Sequence, residues 1–101
     1  MKKRFLRTRP VCKVTFELPG AVTRTARKVA LVGEFNDWDP ERTSMKRRKD
    51  GSFSITLDLD CNQEYQYKYL IDNERWENDW AADDYAPTPF GVDNSVISTM
   101  N

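Results

Sequence analysis

Apolar and polar side chains alternate along much of the chain, and this period of two predicts β-strands. Every second residue of Val11–Leu18 is apolar, and the same alternation returns in Phe53–Leu59 and in Glu64–Ile71. In each segment one set of side chains can face a hydrophobic core while the other set faces solvent. No window of eleven residues shows the 3.6-residue period of an amphipathic helix, so an all-β protein is predicted.

A continuous apolar run, Val29–Gly33, predicts a strand over Lys28–Gly33 that is buried on both faces. Four turn-forming residues follow it: Asn36, Asp37, Asp39 and Pro40. Trp38 lies among these polar residues. Burying an indole ring removes about 200 Å² of surface from water, so a tryptophan in a polar turn needs an explanation. Two alternatives remain open: the Trp38 side chain packs back onto the core, or it is held out to meet a ligand.

Turn residues divide the remaining chain into short segments. Asp50-Gly51 is typical of a β-hairpin that joins Met45–Lys49 to Phe53–Leu59. Pro40–Arg42 has the composition of a single helical turn with proline at its first position. The turn at Asp72-Asn73 indicates that a return strand starts at Arg75-Trp76.

The C-terminal part is predicted to contain one further strand. Asn78–Phe90 includes two X-Pro pairs and is expected to be irregular. Asn94–Ser98 contains β-branched residues and is expected to be a closing strand. Six or seven short strands with turns every 8–12 residues predict an antiparallel β-sandwich.

The length of 101 residues predicts one domain, which we divide into a basic N-terminal arm (1–10) and a β-sandwich (11–101). Five cations lie in the arm: Lys2, Lys3, Arg4, Arg7 and Arg9. A solvated, partly frayed end is the expected conformation. The alternative is that the arm docks onto an acidic segment of the same chain, which contains Glu74, Glu77, Asp79, Asp83 and Asp84.

The charge balance argues against several classes of protein. Sixteen basic and sixteen acidic side chains give no net charge, whereas nucleic-acid binding needs a basic surplus. No apolar stretch approaches the roughly 20 residues of a membrane span, and the N-terminus lacks the apolar run of a signal peptide. Cys12 and Cys61 are expected to be free thiols, which favours a cytoplasmic protein.

The residue types also argue against catalysis. The chain has no histidine, its two cysteines cannot form a zinc site, and no glycine-rich phosphate loop is present. A pair of carboxylates could hydrolyse a glycosidic bond, but a small sandwich offers little room for a deep cleft. We therefore predict a protein that is not an enzyme and that uses neither a metal nor a cofactor.

Aromatic side chains next to amide and ammonium groups suggest a different chemistry. Trp38 and Trp76 can pack on the C–H face of a sugar ring, while Lys68 and Asn94 can hydrogen-bond to its hydroxyls. Each residue alone also has an ordinary structural explanation, since tryptophans often pack at sheet edges and lysines on outer faces are usually just solvated.

Four segments, VALVGEFNDWDP, DGSFSITLDL, EYQYKYLIDNERW and FGVDNSVI, resemble the isoamylase-type early-set domains in order and spacing. These domains are the family 48 carbohydrate-binding modules, and the resemblance covers the chain from about Val11 to Ser98. Such domains occur in branching and debranching enzymes, in glycogen-binding β-subunits of AMP-activated kinases and as small stand-alone bacterial proteins. The resemblance implies an immunoglobulin-like, early-set β-sandwich.

The resemblance also implies non-catalytic binding of an α-1,4-glucan (glycogen, starch or a maltooligosaccharide) on a shallow aromatic surface. By this resemblance Trp38 and Trp76 stack on glucose, and Lys68 and Asn94 bond its hydroxyls. Phe90 would insert into the coil of the glucan.

The chain departs from the family pattern at two places. The turn before Trp76 is one residue longer than in the kinase subunits, and Val92 replaces a frequent threonine. The alternative function is a protein-interaction module that docks on a glucan-metabolising enzyme or kinase without binding sugar itself.

Overall fold

A computed structural model describes residues 1–100 as two antiparallel β-sheets packed face to face. The strands are β1 (Lys2–Phe5), β2 (Val11–Leu18), β3 (Val29–Gly33), β4 (Lys46–Arg47), β5 (Phe53–Asp60), β6 (Glu64–Ile71), β7 (Arg75–Glu77), β8 (Asp84–Pro87) and β9 (Asp93–Ser98). Sheet 1 has the order β1-β2-β5-β4. Sheet 2 has the order β3-β6-β9-β8, with β7 also paired to β6. The predicted immunoglobulin-like, early-set sandwich is confirmed.

The inner faces of β2 and β6 form the centre of the core. Cys12, Val14, Phe16 and Leu18 of β2 are buried, as their alternation predicts. From β6, Tyr67 and Tyr69 point inward and are fully buried. The rings of Phe16 and Tyr67 meet edge to face with centroids 5.1 Å apart, a favoured aromatic geometry.

Strand β3 is buried over its whole length, which confirms the prediction from its continuous apolar run. Val29 and Leu31 belong to the main core, while Ala30 and Val32 form a second small cluster with Leu70 of β6. The free edge of β3 is covered because the Leu31 amide donates to the Thr43 carbonyl oxygen at 2.9 Å.

The frayed conformation expected for the N-terminus is wrong, because Lys2–Phe5 pairs with β2 from Lys2↔Thr15 to Phe5↔Cys12. This pairing satisfies backbone groups on an otherwise open edge of β2. Lys3 Nζ lies 2.6 Å from Asp83 Oδ2. The N-terminal arm therefore docks on one residue of the acidic segment, Asp83. This ion pair links β1, at the edge of sheet 1, to the residue just before β8, at the edge of sheet 2.

The irregular conformation expected for Asn78–Phe90 is wrong in part, because β8 lies within it and pairs with β9. Residues before proline favour the extended conformation, which a strand shares. Pro87 is tolerated because it ends an edge strand of sheet 2, where its missing amide breaks no central ladder. Pro40–Arg42 forms a turn, and the one-turn 3₁₀-helix is found instead at Glu34–Asn36.

Both cysteines are free, with Cys12 buried in the core and Cys61 half-buried at the turn between β5 and β6. Residues 1–100 contain no helix that is long and apolar enough to cross a membrane. No cluster of three or more potential metal ligands occurs in the same range.

Candidate functional site

A groove of about 800 Å³ lies on the outer face of sheet 2. All five side chains predicted from the sequence line it: Trp38, Lys68, Trp76, Phe90 and Asn94. They come from the loop after β3, from β6, β7 and β9, and from the β8–β9 turn. We call this feature the aromatic groove.

Trp38 is held out of the core by an unusual backbone. Asp37 and Trp38 both adopt positive φ angles, 58° and 57°, and this conformation is uncommon for a bulky side chain such as tryptophan. Such strained residues cluster at ligand-binding sites. The Trp38 amide donates to the Gly33 carbonyl oxygen at 2.9 Å. The side chain is 38% exposed and lines the aromatic groove, which excludes the alternative that it packs inside the core.

Asn36 fixes the loop that presents Trp38. Its buried side chain accepts a hydrogen bond from the Gly33 amide at 3.0 Å. It also donates to the Leu31 carbonyl oxygen at 2.8 Å and to Thr43 Oγ1 at 3.0 Å. One amide side chain therefore satisfies three polar groups and ties the loop to the end of β3.

Gly33 is required at the start of this loop for steric reasons. A Cβ atom there would lie 2.6 Å from the Gln66 carbonyl oxygen and 2.7 Å from Tyr67 Cβ. Both distances are shorter than real Cβ contacts allow. The φ angle of −170° is ordinary extended backbone, so the close approach of β6 and not the conformation demands glycine.

Polar groups form the floor of the aromatic groove. Within residues 1–100 the Lys68 ammonium has no hydrogen-bond or ion-pair partner, which leaves its donors available to a ligand. Asn94 Nδ2 donates to Gln66 Oε1 at 3.0 Å, and this bond does not use the Asn94 Oδ1 atom, which is an acceptor. Glu34 Oε1 accepts a hydrogen bond from the backbone amide of Gln66 at 2.6 Å.

The longer turn before Trp76 is firmly anchored. Asp72 and Asn73 adopt positive φ angles, and Asp72 Oδ1 accepts hydrogen bonds from the amides of Lys28 and Arg27 at 3.0 and 2.8 Å. These hydrogen bonds hold the pKa of Asp72 below its usual value. Trp76 follows in β7, opposite Leu70 of β6, and remains 50% exposed.

Phe90 lines the aromatic groove and is 87% exposed. It lies at the tip of the β8–β9 turn, where Thr88 Oγ1 donates to the Val92 carbonyl oxygen at 2.6 Å. Gly91 has φ of 80°, which glycine adopts without strain. An exposed phenylalanine on an ordered turn is available to contact a ligand.

The family described as carbohydrate-binding module 48 (isoamylase N-terminal domain) matches residues 23–86. The chain belongs to this family. The resemblance inferred from the sequence segments is confirmed.

Two curated relatives of this family 48 module are 1,4-alpha-glucan branching enzymes (GlgB). The module is 42% identical to that of Aquifex aeolicus (strain VF5) over 53 residues, which are 50% of this chain and 8% of the enzyme. It is 47% identical to that of Novosphingobium aromaticivorans over 47 residues, which are 46% of this chain and 6% of the enzyme. The chain therefore spans less than a tenth of the length of these relatives.

Sequence reasoning missed three polar residues of the family 48 module's groove, Glu34, Gln66 and Thr88. Gln66 could have been found, because it shares the outer face of β6 with Lys68. The hydrogen bond that brings Glu34 to β6 depends on tertiary structure and left no signal in the sequence. Val92, which replaces the frequent threonine, also lines the groove and supplies an apolar contact there.

Proposed function

We propose that this family 48 module binds α-1,4-glucans non-catalytically in the aromatic groove. The observation on which the proposal rests is the convergence of five side chains from five separate segments on one surface. Indole and phenyl faces can pack on the C–H faces of glucose units, as aromatic rings do with apolar surface. The two relatives named as α-glucan branching enzymes support the choice of glucan.

The hydrogen-bonding groups of the groove suit sugar hydroxyls. The Lys68 ammonium is a donor only, whereas Gln66 and Asn94 each offer both a donor and an acceptor. The Gln66–Asn94 hydrogen bond fixes both amides before a ligand arrives. Because the groove is open and buries little of a glucan, we expect a dissociation constant of roughly 10 µM to 1 mM.

The absence of catalysis is part of the proposal. Glycoside hydrolysis uses two carboxylates that flank the scissile bond. Among the described residues that line the aromatic groove, Glu34 is the one carboxylate. We also propose a cytoplasmic location, because Cys12 and Cys61 are both free and disulfides are typical of oxidising compartments.

The test is a titration with β-cyclodextrin and maltoheptaose, followed by amide shifts in NMR spectra and by tryptophan fluorescence. We expect saturable shifts at Trp38, Lys68, Trp76, Phe90 and Asn94. Cellohexaose, a β-1,4-glucan, is the matched control and should give no saturation in the same range. Absence of any response at millimolar maltoheptaose would overturn the proposal.

A second candidate function is docking on a glucan-metabolising enzyme, and one observation favours it. Trp80 is 69% exposed and does not line the aromatic groove. Its turn is held in place because Tyr85 Oη donates to the Asp79 carbonyl oxygen at 2.6 Å. If a branching enzyme bound the module in maltose-saturated buffer, and Trp80→Ala but not Trp38→Ala abolished this binding, docking would replace glucan binding as the function.

A further inference from the structure

Asp79 is the one buried carboxylate within residues 1–100, with 3% of its surface exposed. Its Oδ2 atom accepts hydrogen bonds from Tyr67 Oη at 2.7 Å and from Tyr69 Oη at 3.0 Å. Its Oδ1 atom accepts from the Ala81 amide at 2.9 Å. Both oxygens of the carboxylate are therefore hydrogen-bonded, as those of a buried polar group usually are.

The Asp79 backbone joins two further strands to the same point. The Asp79 amide donates to Ser95 Oγ of β9 at 2.9 Å, and its carbonyl oxygen accepts from Tyr85 Oη of β8 at 2.6 Å. Ser95 Oγ in turn donates to Asn78 Oδ1 at 2.8 Å, and Asn78 Nδ2 donates to the Asp93 carbonyl oxygen at 3.0 Å. We call these contacts the Asp79 network.

The Asp79 network lies directly behind the aromatic groove, on the inner face of sheet 2. Tyr67 and Tyr69 are the chain neighbours of Lys68, and side chains alternate between faces along a strand. Ser95 is likewise the neighbour of Asn94. Trp76 lies in β7, and Asp79 follows it by three residues, in the segment between β7 and β8.

We propose that Asp79 is a positioning residue for glucan binding: it fixes Lys68, Trp76 and Asn94 relative to one another from behind the sheet. The inference rests on the proposed function of the groove. Burying a carboxylate costs free energy that a well-packed apolar side chain would not. A carboxylate can accept two tyrosine hydroxyls and an amide at once, and this allows a single side chain to join β6 to the segment that follows β7.

The first test is Asp79→Asn, which preserves the shape of the side chain but removes the charge and one acceptor oxygen. Binding of β-cyclodextrin is measured at 15 °C, after circular dichroism has shown that the variant is folded. We expect the affinity to fall on the order of tenfold, because side chains that bind a ligand must be held within about 0.5 Å of their productive geometry. Tyr67→Phe and Tyr69→Phe each remove one hydrogen bond and should give smaller losses.

Thr23→Val is the matched control for lost stability. Thr23 is buried, and its hydroxyl donates to the Gly51 carbonyl oxygen at 2.7 Å, away from the groove-lining residues. The control should lower the midpoint of thermal unfolding and leave the affinity unchanged. In the ligand-free protein, Asp79→Asn should shift the amide resonances of Lys68 and Asn94 and the indole resonance of Trp76, whereas Thr23→Val should not.

The outcomes separate the two proposals. A folded Asp79→Asn variant that binds within twofold of the wild type would overturn the positioning role. If the wild type itself did not bind, the proposed function would fail, and unchanged resonances of Lys68, Trp76 and Asn94 in Asp79→Asn would overturn positioning as well. If Asp79→Asn did not fold, the two Phe variants would decide by the same criteria.

Discussion

At the scale of single residues, Trp38 combines a strained backbone with a half-exposed indole ring. Because the fold tolerates backbone strain to position the Trp38 side chain, we expect this side chain to contribute much of the free energy of binding. We expect Trp38→Ala to weaken glucan binding at least about 30-fold, as for a residue at the centre of a binding surface. The thermal midpoint should stay close to that of the wild type, because the ring lies outside the core.

Trp80→Ala is the control for Trp38→Ala, since it also removes an exposed indole but outside the aromatic groove. The affinity of Trp80→Ala for β-cyclodextrin, measured by calorimetry, should equal that of the wild type. Equal affinities for Trp38→Ala and the wild type would show that Trp38 does not contact the sugar.

Asn36 supports Trp38 from within the fold, and its loss should affect stability and binding together. Asn36→Ala leaves the Gly33 amide and the Leu31 carbonyl oxygen without their side-chain partner in a buried site. We expect a loss of about 1–3 kcal/mol in the free energy of unfolding, measured by urea denaturation, and weaker glucan binding. Asn94→Ala is the comparison, since it should weaken binding while changing stability by only about 0.5 kcal/mol. If the free energy of unfolding of Asn36→Ala equalled that of the wild type, Asn36 would not support the Trp38 loop.

At the scale of elements, the close approach of β3 and β6 is set by Gly33. Gly33→Ala would force Cβ against the Gln66 carbonyl oxygen and Tyr67 Cβ, and such overpacking typically costs about 1–3 kcal/mol. Gly51→Ala is the comparison, because Gly51 has open space around it but φ of 86°, which costs an alanine about 1–2 kcal/mol. We expect Gly33→Ala to displace the resonances of β6 as well as to lower the thermal midpoint. Gly51→Ala should lower the midpoint only.

The same scale explains which elements could be predicted from the sequence. β2 and β6 have the predicted bounds, and β3 begins one residue later than predicted, because the apolar patterns of these strands extend over five to eight residues. β1 and β8 have mostly exposed side chains and no such pattern. They are strands because β2 and β9 offer free edges, which is a property of the assembled sheets.

The residues of the aromatic groove could be predicted from the sequence, whereas those of the Asp79 network behind it could not. Its five predicted residues stand in short segments that resemble the family, and the sheet brings them together. The Asp79 network left no signal, because an aspartate in an acidic segment is usually a surface residue. Its burial depends on the path of the chain between β7 and β8.

At the scale of the whole molecule, the two central tyrosines should make stability depend on alkaline pH. Burial, followed by the nearby Asp79 carboxylate, raises the pKa of Tyr67 and of Tyr69 far above the ordinary value of 10.0. Above pH 10 the unfolded chain loses these protons while the folded chain keeps them. The free energy of unfolding therefore falls as pH rises, by about 1.4 kcal/mol per pH unit for each tyrosine.

Urea denaturation between pH 8 and pH 11 measures this dependence. Stability should be nearly constant up to about pH 9.5 and should then decline. Tyr67→Phe removes one of the two titrating tyrosines and should make the decline shallower. An identical decline in Tyr67→Phe and the wild type would exclude Tyr67 as a source of the effect.

The unequal burial of the two thiols gives the module a chemical handle. Burial raises the pKa of Cys12, so little reactive thiolate forms there, whereas Cys61 is half-buried at a turn that does not line the groove. A maleimide dye should therefore couple at Cys61 alone while the protein is folded. The unmodified sequence could thus serve as a fluorescent reporter for polysaccharide, with the label placed where it leaves the binding surface open.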